Sequence, residues 1–190
     1  MPNVEPLEIV LYPDPFLTQP CRAITPEEIK AGSADGWNLA ELVERMKATM
    51  FASEGIGLAA PQVGVGLRLF MADITKDHSG FFVVLNPTLS EIHGSVQEEE
   101  GCLSIPRVRA KVKRPAGVKV SGVDLKGQPF SFEATELLAR VCQHEYDHLD
   151  GVLFINKLGM AARLLVRRQL VELEEDYRIL QARKKVGSRR

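Results

Sequence analysis

The chain has 190 residues, of which 45% are apolar and 26% charged, and a formal net charge of −1. That length suits one domain spanning 1–190 that buries a core without disulfide staples, and the near-zero charge gives the molecule as a whole no general attraction for nucleic acid. No run approaches the ~18 consecutive apolar residues of a membrane span, Met1 to Glu5 open no basic-then-apolar leader, and cysteines 21, 102 and 142 lie too far apart for an obvious framework, so a cytoplasmic protein with reduced thiols is expected.

In chain order, Pro13-Asp14-Pro15 marks a turn, and 26–30 predicts a short helix opening on Pro26. Ala31 to Trp37 reads as a loop insertion. Leu39, Leu42, Val43, Met46 and Met50 recur at helical spacing, predicting a helix from Asn38, its N-cap, to Ser53, with Gly55-Ile56-Gly57 ending it. From 66 to 134 the pattern turns to strands. Leu67, Leu69 and Met71 alternate with Arg68 and Phe70, Phe81 to Leu85 is a short apolar run before Asn86-Pro87, and Val108, Ala110 and Val112 alternate with basic residues. Val118, Val120 and Val123 follow, then a turn at 126–129. A second long helix is predicted from Thr135, as N-cap, to about Leu149, and a third over Met160 to Ala182. This order predicts an α+β fold: mostly antiparallel sheet packed around a central helix, with a C-terminal helix behind. Arg183, Lys184, Lys185, Arg189 and Arg190 end the chain with no acid among them, so 184–190 is expected to be a flexible basic tail, either solvated or docked on an anionic surface such as RNA.

Residues 144–148 read His-Glu-Tyr-Asp-His. Positions four apart lie about 40° from each other around a helix axis, so His144 and His148 share a face and can share a metal. Glu145, about 100° round from His144, reaches a water on that metal without being a ligand, the arrangement of a metal-dependent hydrolase. The face runs back through Val141 and Leu137, either ordinary core or a pocket for an apolar side chain.

A catalytic metal wants a third protein ligand and an open position. The place where some metallopeptidases put a third histidine holds Phe154, and no Asn-Glu pair introduces Glu172, Glu174 or Glu175. Cys142 faces away round the helix and Cys21 lacks context. Cys102 follows Gly101 at a strand edge, and a thiolate with two imidazoles suits Zn²⁺ or Fe²⁺. His78 and His93, in loop-like surroundings, read as exposed. The segment Gly55 to Gln62 is either a capped, packed turn or a loop whose Gln62 amide donates to charge developing on a carbonyl oxygen. On the residues alone, a metallopeptidase and a non-catalytic metal-binding module remain alternatives.

Three segments together resemble the peptide deformylase family: Gly55 to Gln62 as Gly-x-Gly-Leu-Ala-Ala-x-Gln, Glu100 to Ser104 as Glu-Gly-Cys-Leu-Ser, and Gln143 to Gly151 as Gln-His-Glu-x-Asp-His-Leu-x-Gly. The resemblance implies a divalent metal on Cys102, His144 and His148, Fe²⁺ in the cell with Zn²⁺ also able to bind. It implies that Glu145 moves the proton and that Gln62 and the backbone N–H of Leu103 hold the oxyanion. The implied substrate is the formyl-methionyl end of a new polypeptide, paired to backbone at Ile56, Gly57 and Gly101, its side chain against Leu137 and Val141. It further implies that Glu100 pairs with Arg114 near that pocket and that Arg109 lies at its rim. Arg140 falls where some relatives carry an apolar residue. Bacterial members of the family can dock on the ribosome through a C-terminal helix, and the basic tail is compatible with that.

Overall fold

The computed structural model describes residues 4–187, with side chains as far as Arg183. Helix α1 (Pro26–Ala31) opens under a reciprocal cap between Thr25 and Glu28. Strands β1 (Ser33–Ala34) and β2 (Trp37–Asn38) form a miniature hairpin where a loop was expected. Helix α2 (Leu39–Ala52) starts on Asn38, whose side chain accepts from the Glu41 N–H. It stops at Ala52, leaving Ser53 and Glu54 before Gly55. Gly55 N donates to Met50 O and Glu54 N to Phe51 O, so the left-handed position falls on Glu54, with φ 54°, and not on a glycine.

Gly57 is already strand: β3 (Gly57–Ala59), β4 (Leu69–Ala72), β5 (Phe82–His93), β8 (Gly117–Val123) and β9 (Pro129–Thr135) form one antiparallel sheet in the order β3-β4-β5-β8-β9. Between them, β6 (Val96–Cys102) and β7 (Ile105–Arg114) pair as a separate hairpin. Strand β5 continues through Asn86-Pro87, where the sequence suggested a stop. The register slips there, Asn86 adopts φ 51°, and its side chain bonds the Ile24 N–H and C=O at 2.8 and 2.7 Å, so a bulge absorbs the proline.

The sheet is covered on both faces. Leu58, Leu69, Met71 and Leu85 pack with Leu42, Met46 and Met50 of α2. Their alternating neighbours Ala59, Phe70 and Val84 pack with Ala139, Cys142 and Leu149 of α3 (Glu136–Leu149). Every residue of β4 is therefore buried. Thr135 precedes α3 in the cap position but makes no side-chain cap bond. Helix α4 (Met160–Gly187) runs past the expected end at Ala182 and lays Val166, Leu170 and Leu173 on Ile105, Val108 and Val112 of β7. Of the expected basic tail, 184–187 are helical in backbone, and the rest lies outside the described residues. No helix among the described residues is long and apolar enough to cross a membrane. Helix α3 thus sits between the sheet and the β6–β7 hairpin, which is how side chains distant in sequence meet.

Candidate metal centre

The α3 face that turns from the sheet towards the hairpin carries His144 and His148. Strand β6 brings Cys102 to them. The potential ligand atoms of Cys102, His144 and His148 lie within 4.8 Å of one another, and Cys102 Sγ is 3.2 Å from His148 Nε2. His144 Nδ1 lies 3.1 Å from Glu100 Oε2, which turns its Nε2 towards the same point. One sulfur and two imidazole nitrogens at this spacing fit a tetrahedral divalent metal with a fourth position free. Burial drives the His148 pKa well below its ordinary value, whereas His144, against its own burial, is raised to about 10 by its bonds to Cys102 and Glu100. Cys142 and Cys21 stay in the core, where burial pushes their thiols up to about 12 and about 11. His78 and His93 are exposed, as expected, and His78 stacks on Phe51.

Glu145 is 4% exposed, and its Oε2 has no hydrogen-bond partner. Burial raises its carboxyl to about 7, against the lowering pull of His144 and Arg114. Gly57 makes room for it: a Cβ there would lie 2.9 Å from both Glu145 Cδ and Val141 Cγ1. Gln62, 2% exposed, spends its carbonyl oxygen on the Ala59 N–H at 2.8 Å. Its amide nitrogen must then face the site, 3.4 Å from Cys102 Sγ and 3.3 Å from Ser104 Oγ.

Gln62, Cys102, His144 and Glu145 line a cavity of about 550 Å³, and His148 lies buried beside Cys102. Ile56, Gly57, Gly101, Leu103, Leu137 and Val141 all border it. Val141 is buried and Leu137 is 38% exposed, so the apolar wall read from helical spacing faces the cavity. Strands β3 and β6 are both edge strands there, with backbone free to pair. Arg109 stands at the mouth, 3.6 Å from Glu99, and Arg140 borders the cavity with a long 3.4 Å bond to Glu99 O. Glu100 is clamped by Arg114, with Nη2 to Oε2 at 2.9 Å. Burial acts to raise its carboxyl, but the bonds from His144 and Arg114 win and hold it at about 2. Every sequence-derived site residue thus borders or supports one cavity.

Sequence reasoning gave no role to Ser104, to Asp147 or to Lys157. Ser104 is fully buried beside Gln62, and Asp147 bonds Arg114 Nη1 at 2.7 Å and Lys157 Nζ at 3.1 Å. The signal for Ser104 and Asp147 was their place inside the motifs; Lys157 gave none. Phe154, dismissed as a ligand, stacks on His144 with centroids 6.1 Å apart and seals the site from behind.

An α+β domain with a cysteine and two histidines at a cavity floor, and a buried glutamate beside them, belongs to the class of metal-dependent hydrolases. The family profile described as Polypeptide deformylase matches residues 6–163. A peptide deformylase of Hydrogenovibrio crunogenus is 44% identical over 82% of this chain and 88% of its own length. Peptide deformylase 1B, chloroplastic, of Solanum lycopersicum is 41% identical over 92% of this chain and 61% of its own. The crystal structure of peptide deformylase from Plasmodium falciparum superposes with a TM-score of 0.82 at 34% identity, covering 90% of this chain and 98% of that one. The chain belongs to the polypeptide deformylase family.

Proposed function

We propose that this protein removes the N-formyl group from the formyl-methionine that begins newly made polypeptides, releasing formate and a free amine. The observation that carries the reading is the convergence of Cys102, His144 and His148 with Glu145 and the Gln62 amide at one cavity floor, between two free strand edges. Cys102, His144 and His148 would hold one divalent ion, Fe²⁺ in the cell, with Zn²⁺ equally suited to the donor set. When bound, such an ion supplies Lewis acidity, lowering the pKa of a water and polarising a carbonyl.

Glu145 takes a proton from the attacking water and delivers it to the leaving amine. A carboxyl raised to about 7 is matched to both tasks near neutral pH. The Gln62 amide and the Leu103 N–H donate to the oxygen that gains charge as the formyl carbon becomes tetrahedral. The peptide lies as an added strand against Ile56, Gly57 and Gly101. Its methionine side chain packs on Leu137 and Val141, and Arg109 closes the rim. Glu100 supports the pocket by fixing His144.

The workplace is the cytoplasm, on chains still being made. The outer face of α4, where Met160, Leu164 and Leu165 are exposed, together with the basic residues at the C-terminal end of the chain, is the surface offered to the ribosome. The test of the activity is formate release from formyl-Met-Ala-Ser by anaerobically purified protein with its metal quantified. Formate in step with metal content supports it; metal-loaded protein that releases none overturns it.

A further inference from the structure

Among the described residues, a buried and heavily charged ring of side chains leaves α3 and returns to it at the metal ligand His144. Asp147 Oδ2 accepts from Arg114 Nη1 at 2.7 Å. Arg114, only 2% exposed, grips both oxygens of Glu100 with Nε and Nη2. Glu100 Oε2 meets His144 Nδ1 at 3.1 Å, back on α3. The second oxygen of Asp147 is held by Lys157 Nζ at 3.1 Å, from the turn that follows α3.

We infer that Asp147, locked by Lys157, is a positioning residue for the metal site: it fixes the hairpin that carries Cys102 against the helix that carries His144 and His148. The guanidinium is a rigid planar fork. Fixing Nη1 at Asp147 therefore sets the direction of the two bonds to Glu100, and Glu100 sets the His144 ring. Cys102 follows Glu100 closely on β6, so the same clamp sets how near the sulfur comes to the helix. The charges also demand the outer pair. Arg114 and Glu100 alone are neutral, and Asp147 adds a carboxylate, 14% exposed, that Lys157 compensates from the surface. Without Lys157, one oxygen of Asp147 loses its anchor and the carboxylate can turn away from Nη1.

The inference rests on the three-ligand reading proposed above. The experiment measures Zn²⁺ affinity by chelator competition and the visible spectrum of the Co²⁺-loaded protein, for wild type, Asp147→Asn, Lys157→Met and Lys157→Arg. Removing a partner that orients a ligand commonly costs 10- to 100-fold in metal affinity. Asp147→Asn is expected to weaken Zn²⁺ by about tenfold and to shift the Co²⁺ bands; Lys157→Met should weaken it by about threefold or more, and Lys157→Arg should restore it. A general loss of fold would lower thermal stability without moving the spectrum of the metal-loaded protein. Affinities within twofold of wild type and unchanged bands overturn the inference, as does a Lys157→Met defect that Lys157→Arg leaves unrepaired. If Asp147→Asn fails to fold, the Lys157 pair decides. Wild type that binds no metal would sink the three-ligand reading itself, a separate outcome.

Discussion

Helix α3 turns Gln143, Glu145 and His148 inward, all buried, whereas α4 leaves Met160 and Leu165 outward, each 84% exposed. Both depart from the simple rule of apolar inside and polar outside, in opposite senses. On α3 the departure is costly. A buried carboxylate with an unpartnered oxygen loses its hydration and gains no hydrogen bond there, which is why its carboxyl rises to about 7. Such a cost is retained where chemistry uses it. On α4 only one stripe is spent on the core, Val166, Leu170 and Leu173 against β7, and the outer apolar side chains add nothing to it. The contrast assigns activity to the polar face of α3 and hairpin support to the inner stripe of α4.

The largest effect should come from Glu145→Ala. Formate release is expected to fall by about 10²- to 10⁴-fold, the usual worth of a positioned acid–base group, with metal content unchanged and thermal stability not reduced. Substantial remaining activity would take proton transfer away from Glu145. Leu170→Ala probes the other side of the contrast. It should cost about 2–4 kcal/mol in denaturant unfolding, with kcat on the formyl peptide retained below the transition. Equal loss of kcat would show that α4 is wired into the chemistry.

The hairpin clamp should also make the fold acid-sensitive. Glu100 has a folded pKa of about 2 against an ordinary 4.5. Its contribution to stability is thus complete above about 4.5 and is lost as pH falls towards 2. Unfolding free energy followed downwards from pH 5 should drop more steeply in wild type than in Glu100→Gln; parallel curves would remove the clamp from the stability account. The smallest effect is expected of Leu165→Lys on the outer face of α4, within about 0.5 kcal/mol in stability and with unchanged turnover of a free peptide.

Much of this was legible in the sequence for physical reasons. Helical spacing placed Met46 and Met50 in one core and His144 and His148 on one face, because periodicity alone fixes which side chains share a helix face. Elimination pointed to Cys102, and the structure brings it to the two histidines. What escaped were features made by tertiary contact. Asn86 carries β5 through a proline because its side chain finds Ile24, far away in the chain. The partnership of Asp147 with Arg114 and Lys157 depends on the hairpin folding over α3, which no local pattern announces. Glu54, not a glycine, takes the left-handed cap of α2, since bonds to Met50 and Phe51 override its intrinsic reluctance.

The account stands on one sulfur and two imidazoles around one metal. X-ray absorption at the zinc edge of the zinc-loaded protein reads that directly. The expected result is a single sulfur at about 2.3 Å with two imidazole nitrogens at about 2.0–2.1 Å, and loss of the sulfur shell in Cys102→Ser. A wild-type spectrum with only nitrogen and oxygen neighbours, or a sulfur shell that survives Cys102→Ser, would contradict it.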